Sequence, residues 1–203
     1  MKIYNYEGKD IEEIKERVCS ELKKEEEQLI ILEKEVTGGL FKTKKYELKV
    51  LIIEEIIAYI KQQLNKILKL MNIDFNVEVK ERDKSINFLI YSDNNSILIG
   101  KNGRTITALQ IILKQSVYSR TGIYINLTLD VGDYRSKQLK NITRIAKQTA
   151  REVAKTKIEV KLDNMNSYER RMVHSLLSDN KNVYTKSEGE EPNRYVIIKP
   201  RED

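Results

Sequence analysis

The chain has 203 residues, of which 37 are Lys or Arg and 31 are Asp or Glu, so its formal charge is +6. This length allows one to three small domains, and a hydrophobic content of 40% is enough to build their cores, which excludes a wholly disordered chain. The single cysteine, Cys19, excludes an intrachain disulfide and a cysteine-built metal site. The single histidine, His174, argues against histidine-based catalysis. We therefore expect no catalytic residue, no metal and no cofactor.

The sequence carries no sign of membrane insertion or export. Residues 1–7 lack the apolar run of a signal peptide. The longest apolar region, residues 50–60, is interrupted by Glu54 and Glu55 and is far too short to span a bilayer. We expect a soluble, cytoplasmic protein.

Residues 1–53 predict a first small α+β domain with the order strand, helix, strand, strand. Strands are expected at 2–7, 28–36 and 45–53. Asp10 with Glu13 resembles a capping box. It precedes apolar residues at helical spacing, namely Ile11, Ile14, Val18 and Leu22. Gly38 and Gly39 are expected to form the turn between the second and third strands.

Residues 54–131 predict a second domain with the order helix, strand, strand, helix, helix, strand. A long amphipathic helix is indicated by Ile57, Ile60, Leu64, Ile67 and Met71. Alternating apolar residues on either side of residues 82–85 predict a hairpin. A short helical segment near residues 94–99 and a longer helix with Ile106, Leu109, Leu113 and Val117 on its inner face follow, before a half-buried strand over 123–129.

A glycine-containing loop joins the two helices of this second domain. Gly100 and Gly103 are three residues apart and enclose Lys101 and Asn102, and Arg104 follows directly. Two glycines let the backbone approach a ligand closely, and the start of the next helix favours an anion. A bare G-x-x-G also occurs in ordinary helix–helix turns. Here the basic residues, the apolar flanks and the surrounding order of elements favour contact with a nucleic-acid backbone.

The segment from Ile97 to Ile106 resembles the signature of KH domains, and the predicted order of elements is similar to the type II, bacterial KH topology. The resemblance implies that Gly100, Lys101, Asn102 and Gly103 clamp a nucleic-acid backbone, with Arg104 adding positive charge. It also implies that Ile99 and Ile106 occupy groove or core positions beside an apolar groove that accepts about four unstacked bases.

Residues 132–203 predict a third α+β domain that begins with a long helix over 134–156. Short strands are expected at 158–162, 182–187 and 194–198, and a second helix over 167–178 after a capping box of Asn166 and Glu169. One face of the long helix carries six basic side chains three or four residues apart, Lys137, Lys140, Arg144, Lys147, Arg151 and Lys155. A charged stripe is often only a solvated face, but such faces normally mix signs, and Glu152 is the one acidic residue of this helix. The stripe therefore favours an anionic partner.

Arg170 and His174 lie four residues apart, so their side chains are neighbours on a helix. A surface arginine and a half-buried histidine would be the ordinary interpretation. The run from Glu169 to His174, together with Pro192, Asn193 and Arg194 before a strand, resembles the Arg-x-x-x-His motif of R-3-H domains, which bind single-stranded nucleic acid. The resemblance implies that Arg170 contacts phosphate while a neutral His174 stacks or forms hydrogen bonds.

A type II KH domain followed at once by an R-3-H domain resembles the Jag (KhpB) family of SpoIIIJ-associated bacterial RNA-binding proteins. The first domain, with Gly38, Gly39, Leu40 and Phe41, is similar to the N-terminal domain of that family. Two departures stand out: many relatives carry a long polar linker after this domain, and their glycine–aromatic turn is longer. The family resemblance implies three domains over 1–53, 54–131 and 132–203.

The hypothesis that follows is a non-catalytic protein that binds single-stranded RNA, with single-stranded DNA as a competing ligand. Resemblance implies a bacterial post-transcriptional regulator or RNA chaperone linked to cell elongation, division or sporulation. An alternative is a protein-interaction adaptor for a membrane insertase, a small KH partner protein or the ribosome, with self-association open. The charge distribution agrees with RNA binding, because the three segments carry −1, +2 and +5. The excess is concentrated in the third segment.

Overall fold

A computed structural model describes residues 1–38 and 43–201 of the chain. Helices and strands are interspersed along the chain, and the strands form three small sheets. This confirms the predicted α+β class. The chain divides into two compact units, Met1–Gly132 and Asp133–Asp203. The division into three domains stays a prediction. Among the described residues, no helix is both long enough and apolar enough to cross a membrane.

The first unit begins with an antiparallel sheet of three strands in the order β1-β3-β2: β1 (Tyr4–Gly8), β2 (Leu29–Gly38) and β3 (Thr43–Ile52). Helix α1 (Ile11–Leu22) covers one face of this sheet, with Ile14 and Val18 buried against it. Asp10 caps α1 by accepting hydrogen bonds from the backbone N–H groups of Glu12 and Glu13. The predicted turn at Gly39 and the residues Leu40 and Phe41 lie outside the described residues.

Helix α2 (Ile53–Leu70) starts directly after β3 and belongs to the second group of elements in this unit. It is followed by β4 (Asn76–Arg82), β5 (Ser85–Tyr91), α3 (Asn95–Ile99), α4 (Arg104–Thr121) and β6 (Asn126–Val131). Strand β5 is central, antiparallel to β4 and parallel to β6. This is the predicted order of helix, strand, strand, helix, helix and strand. A core of isoleucine, leucine, valine and one phenylalanine, Phe88, holds α2 and α4 against the sheet.

The second unit consists of α5 (Tyr134–Thr156), β7 (Val160–Lys161), α6 (Ser167–Leu177), β8 (Val183–Glu188) and β9 (Tyr195–Pro200). Its antiparallel sheet has the order β7-β9-β8. The predicted capping box is confirmed, because Asn166 accepts a bond from the N–H of Glu169 and Glu169 accepts one from the N–H of Asn166. Helix α5 has the predicted bounds.

The predicted strand over 158–162 is wrong in its extent. Only Val160 and Lys161 pair with β9, and the side chain of Ile158 is 66% exposed. The chain leaves α5 through Lys157 in the left-handed conformation, and it comes alongside β9 only two residues after Ile158. Leu162, beyond the strand, is buried in the core and keeps the predicted inward position.

Candidate nucleic-acid interface

The loop between α3 and α4 is shaped by three residues with positive φ. Gly100, Asn102 and Gly103 have φ angles of 69°, 53° and 73°. A side chain at Gly100 would place its Cβ 2.8 Å from the Cβ of Thr105 and 3.0 Å from the Thr105 nitrogen, so this position requires glycine. Gly103 is buried, precedes the first residue of α4 and brings no side chain to cap that helix. The two predicted glycines therefore set the loop's path.

The side chains of this loop point to the surface. Lys101, Asn102 and Arg104 are all exposed, while the backbone beneath them is fixed by the bond from the Gly103 N–H to the Gly100 carbonyl. Helix α4 begins here with its positive dipole end and has no acidic residue in its first turn. The structure thus brings the five predicted loop residues together in a positively charged turn.

The apolar residues beside the loop divide into core and surface positions. Ile106 is buried in the core, and Ile99 is half-buried against it. Leu98 points inward, whereas Ile97 is 53% exposed next to the loop. Ile97 is therefore an apolar surface residue at this site that the sequence analysis assigned no role.

Helix α5 presents the predicted basic stripe to solvent. We call the set of Lys137, Lys140, Arg144, Lys147, Arg151 and Lys155 the basic stripe, and all six are exposed. The opposite face is buried through Ile142, Ala146, Thr149, Ala150 and Val153. Arg144 bonds two neutral neighbours, Asn141 and Gln148. Within residues 1–38 and 43–201, ion-pair partners are lacking for five members of the stripe, Lys140, Arg144, Lys147, Arg151 and Lys155. Their positive charge is not neutralised by the fold.

Arg170 on α6 lies deeper than an ordinary surface arginine. Only 7% of the residue is exposed, and its Nη1 donates to the carbonyl oxygen of Met165 at 2.9 Å. The same nitrogen lies 2.8 Å from Oε1 of Glu191, whose side chain is 59% exposed in the loop between β8 and β9. The guanidinium of Arg170, which is predicted to contact phosphate, is thus already paired with a carboxylate of the protein.

His174, one turn further along α6, faces two hydroxyl groups of β8. Its Nδ1 lies 2.6 Å from Thr185 Oγ1, and its Nε2 lies 2.7 Å from Ser187 Oγ. Burial, and after it the positive charge of Arg170, lowers the pKa of His174 below its ordinary value. The ring is therefore neutral at pH 7, with one nitrogen donating and the other accepting.

Comparison with known proteins supports both domain resemblances. The model of the KH domain of KhpA and KhpB matches residues 57–129, and the model of the R-3-H domain matches residues 140–200. A relative from Bacillus subtilis (strain 168), named RNA-binding protein KhpB, is 29% identical over 197 residues, or 94% of this chain and 95% of the relative. The chain is thus similar to KhpB proteins in both matched domains. The loop residues fall within the KH match, and Arg170 and His174 fall within the R-3-H match.

Two further KhpB relatives are more similar over a shorter length. A protein from Clostridium symbiosum is 41% identical over 128 residues, which cover 63% of this chain and 58% of that protein. One from Lactiplantibacillus plantarum is 39% identical over 125 residues, which cover 62% of this chain and 38% of that protein. Both are named RNA-binding protein KhpB. The matched part of this chain thus spans about half the length of these two relatives.

Three polar residues around the R-3-H motif were missed by the sequence analysis. Thr185 and Ser187 occupy alternate positions of β8 and point toward α6. Strand alternation starting from buried Val183 could have identified both. Glu191 carried no such signal, because its contact joins a loop to a residue 21 positions earlier in the chain.

Proposed function

We propose that this chain is a non-catalytic RNA-binding protein whose ligand is single-stranded RNA. The proposal rests above all on the loop of Gly100, Lys101, Asn102 and Gly103, where a glycine-shaped backbone presents two exposed polar side chains at the start of a helix. In KH domains a loop of this type clamps a nucleotide backbone, and bases are recognised on single strands rather than in duplexes. The relatives' shared name, RNA-binding protein KhpB, supports RNA as the ligand.

The basic stripe supplies long-range attraction in this proposal. Five of its cations have no ion-pair partner among the described residues, so phosphates can approach them without displacing a carboxylate. Neutralising a phosphate releases condensed counterions, which makes binding weaker as salt rises. With about six cationic contacts, the logarithm of the binding constant should fall with the logarithm of salt concentration with a slope of roughly −4.

Arg170 contributes in a different way. A phosphate oxygen reaches its guanidinium by taking the place of the Glu191 carboxylate, which is exposed enough to swing into solvent. His174 stays neutral and offers one donor or one acceptor to the nucleotide beside it when a hydroxyl partner turns away. The proposed roles are phosphate contact for Arg170 and hydrogen bonding or stacking for His174.

On the family resemblance, we extend the proposal to a bacterial post-transcriptional regulator or RNA chaperone in the cytoplasm. Crosslinking and sequencing of bound RNA in cells tests it, with the Lys101→Asp/Asn102→Asp variant as the control. Specific transcripts should be recovered with the parent chain and lost with the variant. Recovery of the same transcripts with both chains would contradict the role of the loop, and recovery of no RNA with either would contradict the function.

A further inference from the structure

A pair of stacked tyrosines lies at the end of α4 opposite the glycine loop. The rings of Tyr118 and Tyr124 have centroids 4.1 Å apart and planes inclined by 18°. Tyr118 is half-buried, whereas Tyr124 is 77% exposed. One face of the Tyr124 ring therefore rests on Tyr118, and the other is open to solvent.

The backbone holds this ring in place. Tyr124 lies between Ile123 and Ile125, which are both buried in the core of the first unit. In this alternating segment the outward direction of the Tyr124 side chain is fixed by its two neighbours. A ring that is already ordered loses little conformational entropy when a second flat group stacks on it.

One lysine lies on α4 a turn away from the tyrosine pair. Lys114 lies one turn before Tyr118 on α4, whereas Arg120 lies two residues after Tyr118 and projects from a different side of the helix. The Arg120 guanidinium is placed over the ring of Tyr59 at 5.0 Å from its centroid. In the part of the chain that the structure describes, neither Lys114 nor Arg120 forms an ion pair. An open aromatic face with an unneutralised lysine one helical turn away suits a base with its phosphate better than it suits an apolar protein surface.

We propose that Tyr124, supported by Tyr118 and with Lys114 one turn before Tyr118 on α4, is a second contact site for single-stranded RNA in the first unit. One base stacks on the open face of Tyr124, and an adjoining phosphate approaches Lys114. Stacking of this kind is tolerant of sequence, because every base has a π-face. The inference rests on the proposed RNA-binding function and adds a site to it.

The distance between the two sites along α4 determines how long an RNA must be to contact both. Tyr118 is 14 residues beyond Arg104, which is about 21 Å at a rise of about 1.5 Å per residue. At a stacked spacing of about 3.4 Å per nucleotide this distance corresponds to roughly six nucleotides. A four-nucleotide RNA fits the loop site alone, whereas a strand of about twelve nucleotides can engage both.

The test compares Tyr124→Leu and Tyr124→Phe in the full chain. Affinity for a mixed-sequence single-stranded RNA of twelve nucleotides is measured by fluorescence anisotropy, and binding of a four-nucleotide RNA by NMR chemical shifts. We expect Tyr124→Leu to weaken twelve-nucleotide binding about tenfold and to leave four-nucleotide binding unchanged. Tyr124→Phe keeps the ring and should bind like the parent.

Tyr91→Leu is the matched control, because Tyr91 is also an exposed tyrosine of the first unit but its hydroxyl lies beside the Glu78 carboxylate. It should leave both RNAs bound as before. If Tyr124→Leu has no effect while the loop variant Lys101→Asp/Asn102→Asp weakens binding of both RNAs, the second site is refuted and the proposed function stands. If the parent chain binds neither RNA, the proposed function and the second site fail together. A change of oligomeric state in Tyr124→Leu at unchanged RNA affinity would also overturn the site.

Discussion

Replacing Lys101 and Asn102 together by aspartate is the sharpest test of the glycine loop. Both side chains are exposed, so the change removes little packing. Asn102 has a φ of 53°, and aspartate tolerates this left-handed conformation about as well as asparagine does. We therefore expect the free energy of unfolding to change by no more than about 0.5 kcal/mol.

The loss of RNA affinity can be worked out from the charges. Lysine to aspartate changes the loop by two charge units, and asparagine to aspartate changes it by one. A unit charge at about 5 Å from a phosphate contributes about 0.8 kcal/mol in a medium with the dielectric constant of water. Three units give about 2.5 kcal/mol, which corresponds to roughly 60-fold weaker binding.

The assay is fluorescence anisotropy of a labelled single-stranded RNA at constant salt, with thermal unfolding as the check on the fold. The chain offers a matched control at Lys181 and Asn182, the same two residue types, both exposed, just before β8. Lys181→Asp/Asn182→Asp changes the total charge by the same amount and should weaken binding less than threefold. Equal losses in the two variants would show that only net charge matters, and a loss below threefold in a folded loop variant would refute the clamp.

Three further predictions concern the second unit. Replacing Lys140 and Lys147 by glutamine should reduce the steepness of the salt dependence by about 1.4, measured as binding constants over a range of KCl concentrations, and an unchanged slope would contradict the stripe's role. Glu191→Gln should tighten RNA binding about threefold, because a competing carboxylate is removed from Arg170 in a partly exposed ion pair. The gain should disappear when Arg170 is also replaced by lysine, and weaker binding in Glu191→Gln would contradict the competition. Because the pKa of His174 is lowered in the folded state, its contribution to stability is present above about pH 6.5 and is lost as the pH falls through the folded pKa. Urea unfolding from pH 8 to pH 5 should show this loss in the parent and a weaker one in His174→Gln.

The elements that could be predicted from sequence are those whose signals are local. Helix α5 has its predicted bounds because its apolar and basic residues separate cleanly onto two faces, although the Asp133 side chain before it forms no capping hydrogen bond. The box of Asn166 and Glu169 identified the start of α6 from two residues three positions apart. The predicted strand over 158–162 is longer than the observed one, because alternation of apolar residues does not show where the partner strand begins.

In the candidate sites, too, the features with a local sequence signal could be predicted and those made by tertiary contacts could not. Gly100 and Gly103 could be assigned from their spacing, because the requirement for a positive φ belongs to the backbone of the loop itself. The surroundings of Arg170 could not be predicted, because the loop that carries Glu191 reaches it through the tertiary fold. Similarly, the sequence shows Ile97 and Leu98 as an apolar pair, and only the packing of α3 decides that Leu98 is buried and Ile97 exposed.

Because Arg170 is already paired with Glu191, it should add less to the free energy of RNA binding than the lysines of the basic stripe. Lys140 or Lys147 gains its whole interaction with phosphate when RNA arrives, since no ion pair in the described residues must first be broken. Arg170 gains only the difference between its interaction energy with a phosphate and its interaction energy with the Glu191 carboxylate, which lies at 2.8 Å. The basic stripe is therefore expected to set the affinity and its salt dependence. Arg170 is expected to discriminate between strands that place a phosphate well enough to replace Glu191 and those that do not.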